Sequence, residues 1–366
     1  MKVIQRADID SLFDHLKKSG YNIVGPTVRD SAIVYDEIEK STDLPVGVTD
    51  EQEAGYYRLK NRNDKALFGY VVGPHSWKKY LFPAKLKLWE ADRQGKSFEI
   101  KENNDEIPKY AFIGVRSCEI KALLVQDKVF NNGSFADSYY NKVRKNVFIV
   151  AVNCTEAGET CFCVSMNTGP KASSGFDISL TEIINDNEHY FVVTEGTPKG
   201  KEFIDALKTV EASEEHLKKA NDGIKNASDH MGRKLDTKGI KELLLGNLEH
   251  PQWNDVASRC LTCANCTLVC PTCFCSNVED VSDLKGDHTE RWRSWDSCFT
   301  MEFSKVAGGN FRTTPRARYR QWMTHKLASW IDQFGTSGCV GCGRCITWCP
   351  VGIDITREAE IIRKNQ

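Results

Sequence analysis

The sequence predicts an α+β protein in two parts: an N-terminal α/β domain on a mixed sheet (residues 1–210), then a mostly helical, cysteine-rich domain (211–366). Two observations carry this prediction. A strand–helix–strand pattern occupies residues 110–152, and eleven of the fifteen cysteines fall after residue 259. A chain of 366 residues is long enough for about two domains with cores of ordinary size.

Taken in order, an amphipathic helix is expected at Asp8 to Lys18, extended pieces at Ala32 to Tyr35 and Ala66 to Val72, and a charged region ending near Lys109. Tyr110 to Val115 reads as a strand, Glu119 to Phe130 as a helix and Val147 to Val152 as a second strand. Such a crossover makes the two strands parallel, so both exits lie at one carboxyl edge of the sheet. Cys118 and Cys154 sit just beyond those exits. A further strand is expected at Tyr190 to Thr194. A Lys-, Glu-, Ala- and Leu-rich helical connector then runs from Lys201 to Asn247 and holds the domain boundary. In the cysteine-rich part, Arg316 to Phe334 reads as a helix.

Composition narrows the function classes. With 40% hydrophobic and 27% charged residues and a formal charge of -1, the chain has no general attraction for nucleic acid or anionic membranes. The first residues carry charges where a signal peptide needs an apolar run, and no segment approaches the ~20 apolar residues of a membrane span. The expectation is a cytoplasmic protein without membrane contact. Fifteen thiols kept reduced there point to metal or redox chemistry, not to a disulfide framework.

The cysteine spacing says which chemistry. Cys260, Cys263, Cys266 and Cys270 before Pro271 spell Cys-x2-Cys-x2-Cys-x3-Cys-Pro, and Cys339, Cys342, Cys345 and Cys349 before Pro350 repeat it. Two-residue gaps let three thiolates of one tight loop reach three corners of a 4Fe-4S cube, and the fourth cysteine reaches the other cube. Cluster one is therefore expected on Cys260, Cys263, Cys266 and Cys349, and cluster two on Cys339, Cys342, Cys345 and Cys270. A structural zinc site also uses paired cysteines but has no use for the third two-residue step or for Cys-Pro. The 68 residues between the motifs read as helical, which suits an alpha-helical ferredoxin domain better than a minimal two-cluster ferredoxin.

Seven cysteines remain: Cys118, Cys154, Cys161, Cys163, Cys273, Cys275 and Cys298. The first four are candidates for a third iron–sulfur cluster, because the crossover brings Cys118 and Cys154 to one sheet edge and the next loop carries Cys161 and Cys163. Ordinary buried cysteine is the competing reading. Thr-Cys-Phe-Cys recurs at 160–163 and 272–275, but Cys273, Cys275 and Cys298 offer only three thiols and stay unassigned.

Arg312, Arg316, Arg318, Arg320 and Lys326 form a basic run, read as a solvated helix face or else as a docking surface or a charge that stabilises a reduced cluster. Trp292, Trp295, Trp322, Trp330 and Trp348 read as core and cluster shielding. No dinucleotide fingerprint, phosphate loop or His-Glu-x-x-His occurs, so no catalytic site of the chain's own is detected.

These residues resemble the beta (iron–sulfur) subunits of cytoplasmic sulfhydrogenase-type nickel–iron hydrogenases and the related A subunit of anaerobic sulfite reductase. The likeness is carried by Gly73-Pro74-His75-Ser76-Trp77, Gly114 to Glu119, Asn153-Cys154-Thr155, Thr160 to Cys163, Thr168-Gly169-Pro170, both motifs and Trp295 to Cys298. The family usually has Arg-Pro-Cys-Asp where this chain has Arg116-Ser117-Cys118-Glu119. The resemblance implies an electron-transfer subunit between a flavin-containing subunit that handles NAD(P)H and a catalytic, hydrogenase-like subunit. It also implies an N-terminal α/β domain followed by an alpha-helical ferredoxin domain. A sulfite reductase subunit, or a stand-alone polysulfide or sulfur reductase, is the alternative.

Overall fold

A computed structural model describes residues 1–102, 106–131, 133–185 and 187–365, with the side chain of Ser134 left out. The N-terminal sheet has eight strands in the order Val210–Glu211, Lys2–Gln5, His189–Glu195, Ile178–Ile184, Phe148–Val152, Tyr110–Val115, Asn22–Arg29, Ala32–Glu37. Its four inner strands, Asn22–Arg29, Tyr110–Val115, Phe148–Val152 and Ile178–Ile184, run parallel, and the flanking pairs are antiparallel. The mixed sheet expected from sequence is therefore present.

Alternation along the parallel strands loads both faces, as a sheet covered on two sides requires. Ala111, Ile113, Phe148 and Val150 share a core with Leu12, Phe13 and Leu16 of helix Asp10–Lys18 and Phe203 of helix Pro198–Asp205. Phe112, Val115, Ile149 and Ala151 point the other way, onto helices Ser117–Phe130 and Ser138–Lys145. Helix Glu214–Asp229 lays Ala220 and Leu217 against Val3, Tyr190 and Val192 of the same sheet.

The cysteine-rich part packs helices Ile240–Gly246, Gln252–Arg259, Pro315–Thr324 and Ile355–Lys364 around Trp253, Phe299, Tyr319, Trp322, Met323 and Leu327, while helix Trp330–Phe334 sets the rings of Trp330 and Phe334 against Phe274. The helix expected at 316–334 is real but is interrupted by one wide π-turn, His325–Ser329. The interval between the motifs is not purely helical. It carries a hairpin, Ser276–Ser282 with His288–Trp295, and the second strand pairs with Lys85–Gln94, which pairs in turn with Ser97–Glu102. The hairpin escaped notice because its first strand is exposed on both faces, leaving no apolar alternation to read; Val278 and Val281 are both about half exposed. Ala66 to Val72 is irregular, not extended. Its backbone is held by side chains: Leu67 and Phe68 N–H donate to Glu182 (2.7 and 2.8 Å), and Phe68 and Tyr70 carbonyls accept from Arg116 (2.8 and 2.6 Å).

Candidate functional site

Both motifs wind the same way. In the first, Thr262 (φ 52°) and Ala264 (φ 67°) flank Cys263 in the left-handed region; in the second, Gly341 (φ 67°) and Gly343 (φ 77°) flank Cys342. Non-glycine residues adopt that conformation at a cost, and held there twice in one loop they mark a backbone shaped to turn successive thiols to a common centre.

Cys260, Cys263, Cys266 and Cys349 line one cavity, together with Cys345, Phe299, Tyr319 and Trp322. The fourth cysteine of the second motif thus meets the first three of the first. Thr262 N–H donates to Cys260 Sγ (3.4 Å) and Ile353 N–H to Cys349 Sγ (3.3 Å). The buried Tyr319 hydroxyl and Trp322 Nε1 face no protein acceptor. A cavity with four soft donors and two unspent hydrogen-bond donors in its wall fits an inorganic sulfide-bearing group. Zinc fits poorly: tetrahedral zinc holds its sulfurs about 3.8 Å apart, and among the described residues no three cysteine sulfurs lie within 4.8 Å of one another.

Cys339, Cys342, Cys345 and Cys270 gather a little deeper. Burial pushes the Cys339 thiol up to about 12 and raises Cys342 and Cys345 too, with Cys270 among the neighbouring charges that add to each shift. Cys270 goes the other way, well below the ordinary thiol range, chiefly because Cys273 hydrogen-bonds to it, aided by the ammonium of Lys326. Lys326 is 3% exposed, and its Nζ donates to Cys270 Sγ (3.2 Å), Cys273 Sγ (3.5 Å), Thr272 Oγ1 (3.3 Å) and Gly338 O (3.3 Å). The π-turn of 325–329 is where this lysine enters the core.

The third group forms where the crossover places it. Cys118 lies in the first turn of helix Ser117–Phe130 and Cys154 follows strand Phe148–Val152; both line a small cavity with Cys161, Cys163, Arg116, Met231 and Gly341. Burial raises Cys118, Cys161 (to about 12) and Cys163, while the wholly buried guanidinium of Arg116 donates to Cys154 Sγ (3.8 Å). This loop is pressed against the second motif. Phe162 N–H donates to Gly341 O (2.9 Å), Thr168 Oγ1 to Val340 O (2.6 Å), and a side chain at Gly343 would meet Thr160 O at 2.5 Å.

Of the residues read from sequence, the basic run disperses. Arg316 and Arg320 pair with Glu249 (2.5 and 2.8 Å), Arg318 is buried on the carbonyls of Arg312 and Phe299, and Lys326 turns to the thiols. Trp322 lines the first cavity, whereas Trp292 lies on the small sheet with its Nε1 on Glu290. Sequence reasoning missed Lys78, which is 4% exposed, donates to Cys273 O (3.1 Å) and lies 3.9 Å from the Trp295 ring. The Trp77-Lys78 neighbourhood carries no sequence signal for this; only folding brings it to the cysteines.

Comparison with known proteins bears on the cysteine-rich part and on the chain as a whole. Residues 259–353 match the model of a 4Fe-4S dicluster domain. The chain is 34% identical over 275 residues to the Pyrococcus furiosus protein "Sulfhydrogenase 2 subunit beta", covering 73% of this chain and 79% of that one. No solved structure matches. With a mixed α/β sheet domain leading into a dicluster domain, and identity at that level across most of both chains, this chain belongs to the sulfhydrogenase beta-subunit family.

Proposed function

We propose that the chain is the iron–sulfur electron-transfer subunit of a soluble hydrogenase-type complex, standing between a flavin/NAD(P)H-linked subunit and a catalytic subunit. The observation that carries this reading is the cavity shared by Cys260, Cys263, Cys266 and Cys349, because it ties the ends of both motifs together. On this reading two 4Fe-4S clusters are held, one there and one by Cys339, Cys342, Cys345 and Cys270; Cys118, Cys154, Cys161 and Cys163 hold a third. Clusters bound at these places supply one-electron transfer.

The remaining work belongs to the protein. Phe299, Tyr319 and Trp322 line the first site with aromatic surface, and the Thr262 and Ile353 N–H groups donate to its Cys260 and Cys349 sulfurs, contacts that tune the potential there. Lys326 puts a positive charge on the second, and Arg116 on the third. The docking of Phe162 on Gly341 and of Thr168 on Val340 supports a continuous path, since it puts the loop of the third group in direct contact with the second motif. Among the described residues no helix is long and apolar enough to cross a membrane.

The test is iron and acid-labile sulfide on anaerobically purified protein, with optical bleaching by dithionite. Equal iron and sulfide, at about eight or more of each per chain, is expected. Zinc without sulfide would end the reading. The relay itself is tested by mixing the chain with a flavoprotein partner: NADH should bleach the iron–sulfur bands only when the partner is present.

A further inference from the structure

The helices that cover the eight-stranded sheet leave a gap on one face. Helices Ser117–Phe130 and Ser138–Lys145 cover Phe112 and Ala151, and helix Glu214–Asp229 covers Val3 and Tyr190. Between them a pocket of about 680 Å³ opens onto strands Phe148–Val152, Ile178–Ile184 and His189–Glu195, a size suited to a small molecule. Among the described residues no cysteine or histidine lines it, so it is a place to bind a ligand and not a redox centre.

The floor is polar where packing would call for apolar residues. Ile178 and Leu180 belong to the core on the other face, which turns Ser179 and Thr181 toward the pocket, and the register sets Thr194 opposite Ser179. An inner strand of a sheet covered on two sides ordinarily carries apolar residues on both faces. Ser179 and Thr181 break that rule, although each is only 4% exposed. Thr181 Oγ1 accepts from Asn153 Nδ2 (2.8 Å), which leaves its own proton unspent, and among the described residues the Ser179 and Thr194 hydroxyls have no protein partner. Hydroxyls buried in this way are costly unless a polar group meets them. The walls above them are aliphatic, from Ile149, Val192, Leu217 and Ile224.

The rim is basic and firmly held. Lys145 and Lys171 are exposed, and among the described residues no carboxylate pairs with either. Of the two carboxylates that line the pocket, Asp177 is spent on Ile149 N–H (2.8 Å) and Thr197 Oγ1 (2.7 Å), which leaves only the exposed Glu195. The N–H groups of Ser173, Ser174 and Gly175 donate to no protein acceptor among the described residues. Gly196 N–H donates to Asp177 O (2.8 Å), and a side chain at Gly196 would meet Phe176 O at 2.2 Å, so the loops on either side of the rim are locked together.

We propose that this pocket binds a nucleoside phosphate. The phosphate takes the two lysines and the N–H groups of 173–175, the ribose meets the hydroxyls of Ser179, Thr181 and Thr194, and the base lies along the aliphatic wall. A bare anion would use the rim alone, and a wholly apolar ligand would leave the floor hydroxyls unpaired. The proposal does not depend on the clusters. Asn153 and Lys171 do adjoin Cys154 and Pro170, whose backbones are hydrogen-bonded (3.3 Å), so the occupant lies beside the third cysteine group.

Equilibrium dialysis of the full-length, anaerobically purified protein against AMP and ADP tests this, with inorganic phosphate as the competing probe. One nucleotide per chain should bind with a Kd below about 1 mM, and phosphate should compete only at concentrations about tenfold higher or more. Lys145→Ala combined with Lys171→Ala, both at the surface, should weaken binding about tenfold. Ser179→Leu, which fills the floor, should abolish it; if that variant fails to fold, the lysine variant carries the test alone. Absence of saturable binding by either nucleotide would overturn the proposal. So would inorganic phosphate binding as tightly as ADP, which would reduce the site to an anion rim, or an unchanged nucleotide affinity in the lysine variant, which would place the ligand elsewhere.

Discussion

Glu119 and Arg344 form an ion pair with no solvent exposure, 1% and 0%, and it joins the two cysteine-bearing halves of the molecule. Glu119 follows Cys118 in the helix that opens the third cysteine group; Arg344 precedes Cys345 in the second motif. The carboxylate also accepts from Tyr35 Oη (2.6 Å) and from Arg116 N–H (3.1 Å), and Arg344 Nε donates to Gly73 and His75 carbonyls (2.9 and 3.1 Å). A pair buried this completely is costly to break from one side, because the surviving charge is left without compensation.

Glu119→Gln and Arg344→Met should each lower stability by about 3–5 kcal/mol. The double variant should lose less than the sum. Thermal melts of anaerobically held protein measure this; strictly additive losses would show that the two side chains do not depend on one another.

Lys326→Met should lower the reduction potential of one cluster and leave iron content unchanged. Reduction adds a negative charge beside Cys270, and the ammonium at 3.2 Å favours that state; removing it favours the oxidised one. An EPR-monitored redox titration of both proteins gives the answer, a tenfold change in the reduced-to-oxidised ratio being 59 mV. An unmoved potential would mean that the lysine only fills space.

Crossed ligation, as proposed, should leave a footprint. In Cys349→Ser, alkylation should reach Cys260, Cys263 and Cys266, whose cavity Cys349 completes, and spare Cys339, Cys342 and Cys345. Cys270→Ser should give the converse. If Cys349→Ser opens its own motif instead, each cluster belongs to a single motif.

For the N-terminal group, changing Cys118 and Cys154 together to Ala should drop iron from about twelve to about eight per chain. Eight in both proteins would confine iron to the C-terminal motifs.

Much of the site was legible because cysteine spacing is local. The repeated motif grouped Cys260, Cys263, Cys266 and Cys349, which line one cavity together with Cys345, and the strand–helix–strand pattern put Cys118 and Cys154 at one sheet edge. Pairing between distant segments was not legible. Nothing in His288–Trp295 announces that it will pair with Lys85–Gln94. Ala66 to Val72 looked like a strand because its residues are apolar, yet Arg116 and Glu182 take its hydrogen bonds. Lys326 read as part of a basic run, since only the fold decides that Arg318 and Lys326 turn inward and that Lys326 alone reaches the thiols.

The small four-stranded sheet also sets an order of events during synthesis. Lys85–Gln94 leaves the ribosome long before its neighbour His288–Trp295, and at 5–20 residues per second that wait is on the order of ten to forty seconds. Throughout it one side of the early hairpin has open hydrogen-bonding groups, an invitation to pair with another nascent chain. The hairpin is guarded by composition: Lys85, Lys87, Glu90, Asp92 and Arg93 on one strand and Glu99, Lys101 and Glu102 on the other keep it charged while it waits. A chain released before residue 288 would carry that edge permanently, so truncated products of this protein should be cleared or aggregate instead of persisting as a folded N-terminal half.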